Sequence, residues 1–273
     1  MEISALKTPI TYYGGKQTML KHILPLMPPH KLYVEPFFGG GSVFFAKPPS
    51  DIEVINDKLD AAIAFYRMAQ TRFDELKKEI DCCLYSRTLQ RKANLICMGR
   101  TEAIDMEKAV AFWAATQMSF SARIDGGLKF NKEMNYAKIL DAKRRNFTEE
   151  IEKRLRETAI ENLDALETIR KYDCPHAFFY IDPPYWQANM GHYSGYTQSD
   201  FENLLETLGK IEGKFLLSSY ECEILDSHRN ANDWKTVAIK CNVRAINRKK
   251  EQARKKIECL TFNYRLEENL FGY

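Results

Sequence analysis

Short apolar runs bounded by polar or turn-forming residues recur at both ends of the chain, and such runs predict buried strands. They predict strands at 32–34, 53–55, 177–181, 214–219, 234–240 and 257–263. Apolar residues with helical spacing lie between several of them, as at 201–211. Alternating strands and helices predict an α/β fold in which helices cover a mostly parallel sheet.

Residues 67–154 follow a different pattern, which is polar and mainly helical. Helical spacing is clear at 74–80 and at 106–118. The segment Asp125-Gly126-Gly127 predicts the turn of a β-hairpin. An insertion of this size, in the loop-bearing edge of an α/β sheet, is suited to recognising a substrate.

Length, apolar runs and cysteine spacing together favour a globular protein without a membrane span. The 273 residues suffice for one large domain, or for one domain with an insertion. No apolar run approaches the roughly 18 to 20 residues of a membrane span, and the N-terminus lacks signal-peptide character. The seven cysteines form no C-x-x-C pair, so we expect reduced thiols in a cytoplasmic protein. We also expect no metal site, since no histidine cluster is present, and a monomer.

Four residues, Asp182-Pro183-Pro184-Tyr185, follow the predicted strand 177–181 and indicate chemistry at its carboxyl end. Ligands of open α/β sheets bind at that edge. The two prolines stiffen the turn and cannot donate backbone hydrogen bonds. A fixed carboxylate, a bare carbonyl and an aromatic face suit a planar ring that carries an exocyclic amine. The alternative is a plain proline turn with Tyr185 packed over an edge.

A glycine-rich turn predicts a cofactor site. Gly39-Gly40-Gly41 lies between a strand and an apolar helix, and Asn56-Asp57 ends the next strand. Such a turn allows close backbone approach to a nucleotide-type cofactor, and an acid about 20 residues later suits ribose hydroxyls. Because G-x-G-x-x-G is absent, a cofactor without pyrophosphate, such as S-adenosylmethionine, fits better than a dinucleotide. The alternative for Asp57 is a cap on the helix that follows.

Two further segments carry charge that could contact a ligand. Tyr12-Tyr13-Gly14-Gly15-Lys16 places an ammonium after paired glycines, although a glycine turn that caps a helix explains it equally well. Basic residues cluster at 143–145 and at 244–256. Such a run is typical of a solvated face, and also of a surface that binds a phosphate backbone. The net charge of +3 identifies no partner by itself.

Together these motifs resemble the Dam-like family of DNA adenine methyltransferases. The resemblance rests on their order, with G-G-K at 14–16, E-P-F-x-G-G-G at 35–41, N-D at 56–57 and D-P-P-Y at 182–185. It covers residues 7–66 and 155–265. Tyr12 stands where the best-known members carry tryptophan, and it keeps an aromatic ring there. Lys132-Glu133-Met134 stands where GATC-specific members carry V-P-F-G, so their target sequence is not transferred.

The resemblance implies an S-adenosylmethionine-dependent methyltransferase with a Rossmann-like α/β fold. The expected sheet is mixed and mostly parallel, with about seven strands and an antiparallel final hairpin. Residues 1–66 and 155–273 would form the catalytic domain, and residues 67–154 an inserted, mainly helical target-recognition domain. The implied reaction is methyl transfer to the N6 amine of adenine in double-stranded DNA.

The resemblance and the local chemistry also assign residues. Catalysis is assigned to Asp182, Pro183, Pro184 and Tyr185. Cofactor binding is assigned to Tyr12, Gly14, Gly15, Lys16, Glu35, Pro36, Phe37, Gly39, Gly40, Gly41, Ser42, Asp57, Asp164 and Asp182. DNA binding is assigned to Arg123 and Lys129 beside the expected hairpin turn, and to Lys249 and Lys250 in the basic cluster.

Three alternative functions stay open from the sequence. Methylation of a cytosine N4 amine uses nearly the same residues, usually with S-P-P-Y, so Asp182 favours adenine. RNA, or a glutamine side chain in a protein, presents a similar amine, but N-P-P-Y is more typical of those enzymes. A catalytically silent DNA-binding relative is the third, and the intact Glu35, Asp57, Asp182 and Tyr185 argue against it.

Overall fold

Seven strands form one sheet in the described part of the chain, which a computed structural model gives as residues 6–186, 195–241 and 256–266. The strands are β1 Leu32–Glu35, β2 Ile52–Asn56, β3 Thr158–Glu161, β4 Ala177–Ile181, β5 Lys214–Tyr220, β6 Lys235–Cys241 and β7 Lys256–Phe262. Their spatial order is β3-β2-β1-β4-β5-β7-β6. Strands β1 to β5 are parallel, and β7 is antiparallel to β5 and β6. The predicted α/β fold, with its mixed sheet and antiparallel final hairpin, is confirmed.

The order of the strands explains where a site can form. β1 pairs with β2 on one side and with β4 on the other, so the sheet is built outward in two directions from β1. A reversal of this kind opens a crevice at the carboxyl ends of the two strands concerned. Glu35 ends β1 and Asp182 follows β4. Both acids therefore meet at this crevice.

Helices cover both faces of the sheet. They are α1 Leu20–Ile23, α2 Ser42–Ala46, α3 Asp60–Thr71, α4 Phe73–Cys82, α5 Arg87–Cys97, α6 Asp105–Met118, α7 Tyr136–Arg145, α8 Glu149–Leu155, α9 Ala165–Tyr172, α10 Gln198–Leu208 and α11 Glu223–Ala231. Consecutive strand residues enter different hydrophobic clusters, as Phe178 and Phe179 of β4 do. This follows from the alternation of side chains along a strand. The central strands are accordingly buried on both faces, which is typical of parallel sheets.

Residues 67–154 are mainly helical, as the sequence predicted, and contain the end of α3, helices α4 to α7 and all but the last residue of α8. Their interior is continuous with the core of the sheet. Phe112 and Trp113 of α6 and Phe147 join the cluster that contains Tyr33 of β1 and Phe65 of α3. The assignment of this segment to a separate target-recognition domain stays a prediction.

The hairpin predicted around residues 125–127 is wrong. Ser119 and Leu128 form one isolated antiparallel bridge in its place. Two backbone hydrogen bonds flank it, from Phe120 N to the Gly127 carbonyl at 2.8 Å and from Lys129 N to the Met118 carbonyl at 2.9 Å. We call residues 119–129 the bridge loop.

The bridge loop is held by helix α5 rather than by strand pairing. The side-chain amides of Gln90 and Asn94 donate to the Gly126 carbonyl at 2.7 and 2.8 Å. Ser121 and Ala122 have positive φ values of 56° and 58°, a conformation that is unfavourable for residues with a side chain. Side-chain hydrogen bonds from a neighbouring helix therefore replaced the ladder that the turn signal suggested.

Candidate active site

A cavity of about 950 Å³ lies at the carboxyl ends of β1 and β4, and we call it the cleft. It brings together every residue that the sequence assigned to catalysis or to the cofactor, from Tyr12 to Tyr185. Residues that the sequence analysis did not select also line it. Among them are Ile124 of the bridge loop, Tyr220 of β5 and Glu258 of β7.

The glycine turn between β1 and α2 forms one wall of the cleft. Gly39 and Gly41 have positive φ values of 48° and 63°, which glycine adopts without a steric penalty. A Cβ atom on Gly39 or Gly40 would lie 2.7 Å from the side chain of Tyr12. The glycines are thus required because Tyr12 packs directly on the turn, and Tyr12 in turn lines the cleft.

Asp57 fixes the same turn from the end of β2. Its Oδ2 accepts a hydrogen bond from Gly39 N at 2.8 Å, and its Oδ1 accepts one from Leu59 N at 2.9 Å. Burial raises the pKa of Asp57, and these two hydrogen bonds oppose that shift. Asp57 is not the N-cap of α3, since Leu59 holds that position without a side-chain cap. Asp57 instead ties the glycine turn to the start of that helix, and it also lines the cleft. An ionised carboxylate has about four acceptor sites, so two bonds leave capacity for a ligand.

The rim of the cleft combines an acid with aromatic rings. Asp164 precedes α9, and its Oδ1 accepts a hydrogen bond from Leu166 N at 2.9 Å. Its other oxygen lies 3.6 Å from the Lys58 ammonium. The ring of Phe37 meets that of Tyr196 edge-on, with centroids 6.4 Å apart. The aromatic rings can stack on a planar ring of a ligand. The Asp164 carboxylate can accept hydrogen bonds from hydroxyl groups of the same ligand.

Lys16 lies between two carboxylates. Its Nζ is 2.6 Å from Asp182 Oδ1 and 3.7 Å from Glu258 Oε1. The ammonium also lies over the ring of Tyr185, 4.9 Å from its centroid, and donates to the Gly14 carbonyl at 3.2 Å. Burial raises the pKa of Asp182, whereas the charge and hydrogen bond of Lys16 lower it.

The Tyr185 hydroxyl is anchored by two residues that the sequence analysis did not select. It lies 2.8 Å from Ser218 Oγ and donates to Glu258 Oε1 at 3.0 Å. Ser218 donates to the same carboxylate oxygen at 2.8 Å. The ring of Tyr185 packs edge-on against Tyr220, with centroids 4.4 Å apart. The sequence carried one signal, because Glu258 is an acid within the otherwise apolar run 257–260.

Glu35 places a buried carboxyl group at the end of β1. Burial raises its pKa to about 8, although the Tyr33 hydroxyl, which donates to its Oε2 at 2.8 Å, lowers it. The charge of Asp182 raises the pKa further. Burial therefore favours the protonated form of Glu35, in which the carboxyl can donate a hydrogen bond as well as accept one.

A known protein family matches the part of the chain that forms most of the cleft. Residues 12–239 match a family model described as D12 class N6 adenine-specific DNA methyltransferase. This match includes both the glycine turn and residues 182–185, which we call the Asp182 turn. The chain belongs to this family. It is an adenine-specific DNA methyltransferase, so the predicted adenine target and transferase activity are confirmed.

A named relative agrees with the family. The methyltransferase is 26% identical over 197 residues to a Type II methyltransferase of Lactococcus lactis subsp. cremoris. The aligned part covers 69% of this chain and 69% of the relative. Methyltransferases of this family generally use S-adenosylmethionine.

The sequence assigned four basic residues of the methyltransferase to DNA binding, and the structure describes two of them, Arg123 and Lys129. Arg123 forms a two-point ion pair with Asp125, with Nε–Oδ1 and Nη2–Oδ2 distances of 3.0 and 2.7 Å. Lys129 donates to the Gln117 carbonyl of α6 at 2.8 Å, and burial lowers its pKa. The hairpin prediction required the Lys129 ammonium to project from the loop tip. It turns toward α6 instead, so this part of the prediction is wrong. Lys249 and Lys250 lie outside the described residues.

Among residues 6–186, 195–241 and 256–266, no three His, Cys, Asp or Glu side chains are grouped to hold a metal ion. None of the described helices has the length and apolar character to cross a membrane. Free thiols occur at cysteines 82, 83, 97, 174, 222 and 259.

Proposed function

We propose that the cleft binds S-adenosylmethionine together with an adenine base that has left duplex DNA. The supporting observation is that the Asp182 turn and the glycine turn border one cavity. Pro183, Gly39 and Asp57 line it with Asp182. A methyl donor and an amine acceptor held in this cavity would be side by side, which removes much of the entropic part of the barrier.

The lining of the cleft fits this cofactor by its chemistry. Carboxylates at 57 and 164 can accept hydrogen bonds from ribose hydroxyls and from an ammonium group. A pyrophosphate would instead meet these negative charges, so a dinucleotide fits poorly. Phe37 and Tyr196 offer flat faces to an adenine ring. When bound, S-adenosylmethionine supplies a methyl group on a positively charged sulfur.

The residues of the Asp182 turn act on the amine of the target base. An adenine amine is a weak nucleophile because its lone pair is delocalised into the ring. Hydrogen bonds from its two N–H groups to the Asp182 carboxylate and the Pro183 carbonyl favour a pyramidal nitrogen. The carboxylate also stabilises the positive charge that develops there. Lys16 holds that carboxylate in place at 2.6 Å.

The target base must leave the duplex, which costs a few kcal/mol. Stacking against an aromatic ring returns about 1–3 kcal/mol of this cost. Tyr185 lines the cleft beside Asp182 and is the ring we assign to this contact. Transfer of a labelled methyl group to duplex DNA, followed by digestion to nucleosides, tests the proposal. We expect the label in N6-methyl-2′-deoxyadenosine, and label in a methylated deoxycytidine would contradict the proposal.

Replacing Asp57 by alanine should weaken S-adenosylmethionine binding by about tenfold or more, because hydrogen bonds to a charged acceptor contribute 1.5–3 kcal/mol. Duplex affinity should change little. Isothermal calorimetry with the cofactor, and fluorescence anisotropy with labelled duplex, measure the two affinities.

Asp173→Ala provides a matched control for Asp57. Asp173 also accepts hydrogen bonds from two backbone N–H groups, those of Glu212 and Gly213, but it does not line the cleft. It should lose comparable local structure and keep cofactor affinity. Equal cofactor affinity in Asp57→Ala and the parent would remove Asp57 from the binding site.

Arg123 is the residue we propose for recognition of the target sequence. Ile124, its neighbour, lines the cleft, so the bridge loop borders the site where the base would enter. Arginine recognises a guanine edge through two hydrogen bonds, and Asp125 orients the Arg123 guanidinium by bonding its Nε and Nη2. Arg123→Ala should therefore relax or alter the methylated sequence. Sequencing that maps methylated adenines would show this, and an unchanged motif would leave the loop as scaffold.

Lys249 and Lys250 are proposed to contact phosphates instead. Their neutralisation should weaken binding to every duplex and reduce the salt dependence of the affinity, with the slope falling by about 0.9 for each lost contact. The methylated motif should not change. The two sets of variants therefore separate base recognition from backbone binding in the same assays.

A further inference from the structure

Strands β5 and β7 build a polar platform under the Asp182 turn. Ser218 and Tyr220 lie on one face of β5, because alternate residues of a strand share a face. Glu258 of β7 stands directly opposite Tyr220 in the antiparallel pair. Tyr185 rests on this group through its hydroxyl and its ring edge. The platform belongs to the sheet, so its positions are fixed more firmly than those of a loop.

Stability alone does not explain an acid at the centre of this platform. Glu258 is only 8% exposed, and its neighbours Ile257, Cys259 and Leu260 are apolar. Removing a carboxylate from water is costly, and well-packed apolar residues often stabilise a protein as much as a buried ion pair does. The acid is therefore expected to serve the site rather than the fold.

The contacts of Glu258 show which groups it can control. One of its carboxylate oxygens accepts from the Tyr185 hydroxyl at 3.0 Å and from Ser218 at 2.8 Å. The same oxygen lies 3.7 Å from the Lys16 ammonium. Lys16 in turn is 2.6 Å from Asp182. Glu258 thus bonds Tyr185 directly and reaches the carboxylate of Asp182 through Lys16.

We propose that Glu258 is a positioning residue for methyl transfer, which rests on the proposed function of the cleft. It fixes the hydroxyl end of Tyr185, and so the tilt of the ring against which the target base stacks. It also holds Lys16 beside Asp182. Errors of about 1 Å in such placement can cost a hundredfold in rate.

The test uses Glu258→Gln, which keeps a side-chain oxygen as acceptor and removes the charge. We expect kcat to fall about ten- to thirtyfold, as for loss of a charge-assisted hydrogen bond. The affinity for S-adenosylhomocysteine, measured by calorimetry, should stay within about twofold, and Tm within about 3 °C. The conservative variant should keep part of the activity, so kcat of Glu258→Gln should exceed that of Glu258→Ala.

Glu161→Gln is the matched control. Glu161 of β3 also accepts from a tyrosine hydroxyl, that of Tyr172 at 2.6 Å, and also pairs with a lysine, Lys171 at 2.7 Å. It lies outside the cleft. Its kcat should equal that of the parent. A Glu258→Gln enzyme that matches Glu161→Gln in kcat would overturn the inference.

A double-mutant cycle shows whether Glu258 affects the rate through Tyr185. If Glu258 acts through the Tyr185 hydroxyl, Tyr185→Phe and Glu258→Gln should be strongly non-additive in kcat. Fully additive effects would contradict that route. A parent enzyme that failed to bind S-adenosylhomocysteine would instead overturn the proposed function of the cleft, so the two failures are distinguishable.

Discussion

Replacing Asp182 by alanine should reduce methyl transfer by at least about a hundredfold, because it removes an acceptor aimed at developing positive charge. Folding should survive the change. The Asp182 side chain is 19% exposed, and Lys16 keeps a second carboxylate, Glu258, at 3.7 Å. Single-turnover transfer of labelled methyl to duplex DNA measures the rate, and thermal unfolding checks the fold.

Asp182→Asn separates charge from shape at the same position. It keeps one oxygen that can accept from the amine, but it carries no charge to stabilise the product nitrogen. Its rate should lie between those of the parent and of Asp182→Ala. If Asp182→Ala turned over near the parental rate while folded, Asp182 would not be the catalytic acceptor.

Replacing Glu53 by alanine should lower the free energy of unfolding by about 3–5 kcal/mol, the usual effect of leaving buried charges unpaired. Glu53 of β2 is buried and pairs with two cations, Lys47 and Arg154. Lys47 also lies over the ring of Tyr33, and Arg154 over that of Phe44, so neither can readily turn to water. Urea unfolding measures the loss. Arg154 belongs to α8, so its ion pair with Glu53 of β2 also joins residues 67–154 to the sheet.

Glu75→Ala is the control for the buried pair. Glu75 also pairs with an arginine, Arg72, but both side chains are about half exposed. Exposed pairs contribute about 0–1 kcal/mol, so this variant should unfold almost like the parent. Similar losses in the two variants would mean that the Glu53 network does not stabilise the fold.

The same network predicts a pH dependence. Burial alone would raise the pKa of Glu53, but hydrogen bonds and charge from Arg154 and Lys47 outweigh it and lower the pKa. A depressed carboxyl pKa contributes stability above the unfolded-state value of 4.5, and that contribution is lost as pH falls through the folded value. The parent should therefore lose more stability than Glu53→Ala on acidification below pH about 4.5.

Some predictions succeeded because their signals are local. The run 177–181 is apolar throughout and forms a strand buried along its whole length. The glycines at 39–41 and the prolines at 183–184 limit the backbone at their own positions. In contrast, β3 was not predicted. It has four residues at the edge of the sheet, and a short edge strand buries too few side chains to leave an apolar pattern.

The sequence alone determined the alternation of strands and helices, the family, and the turns that line the cleft. These follow from periodicity and from residues whose backbone preferences are strong. Tertiary structure alone decided that Glu258 meets Tyr185, since their contact depends on how β7 pairs with β5. It also decided that Lys129 turns toward α6, because helix α5 holds the bridge loop. Contacts between distant segments depend on register and packing, which no local pattern encodes.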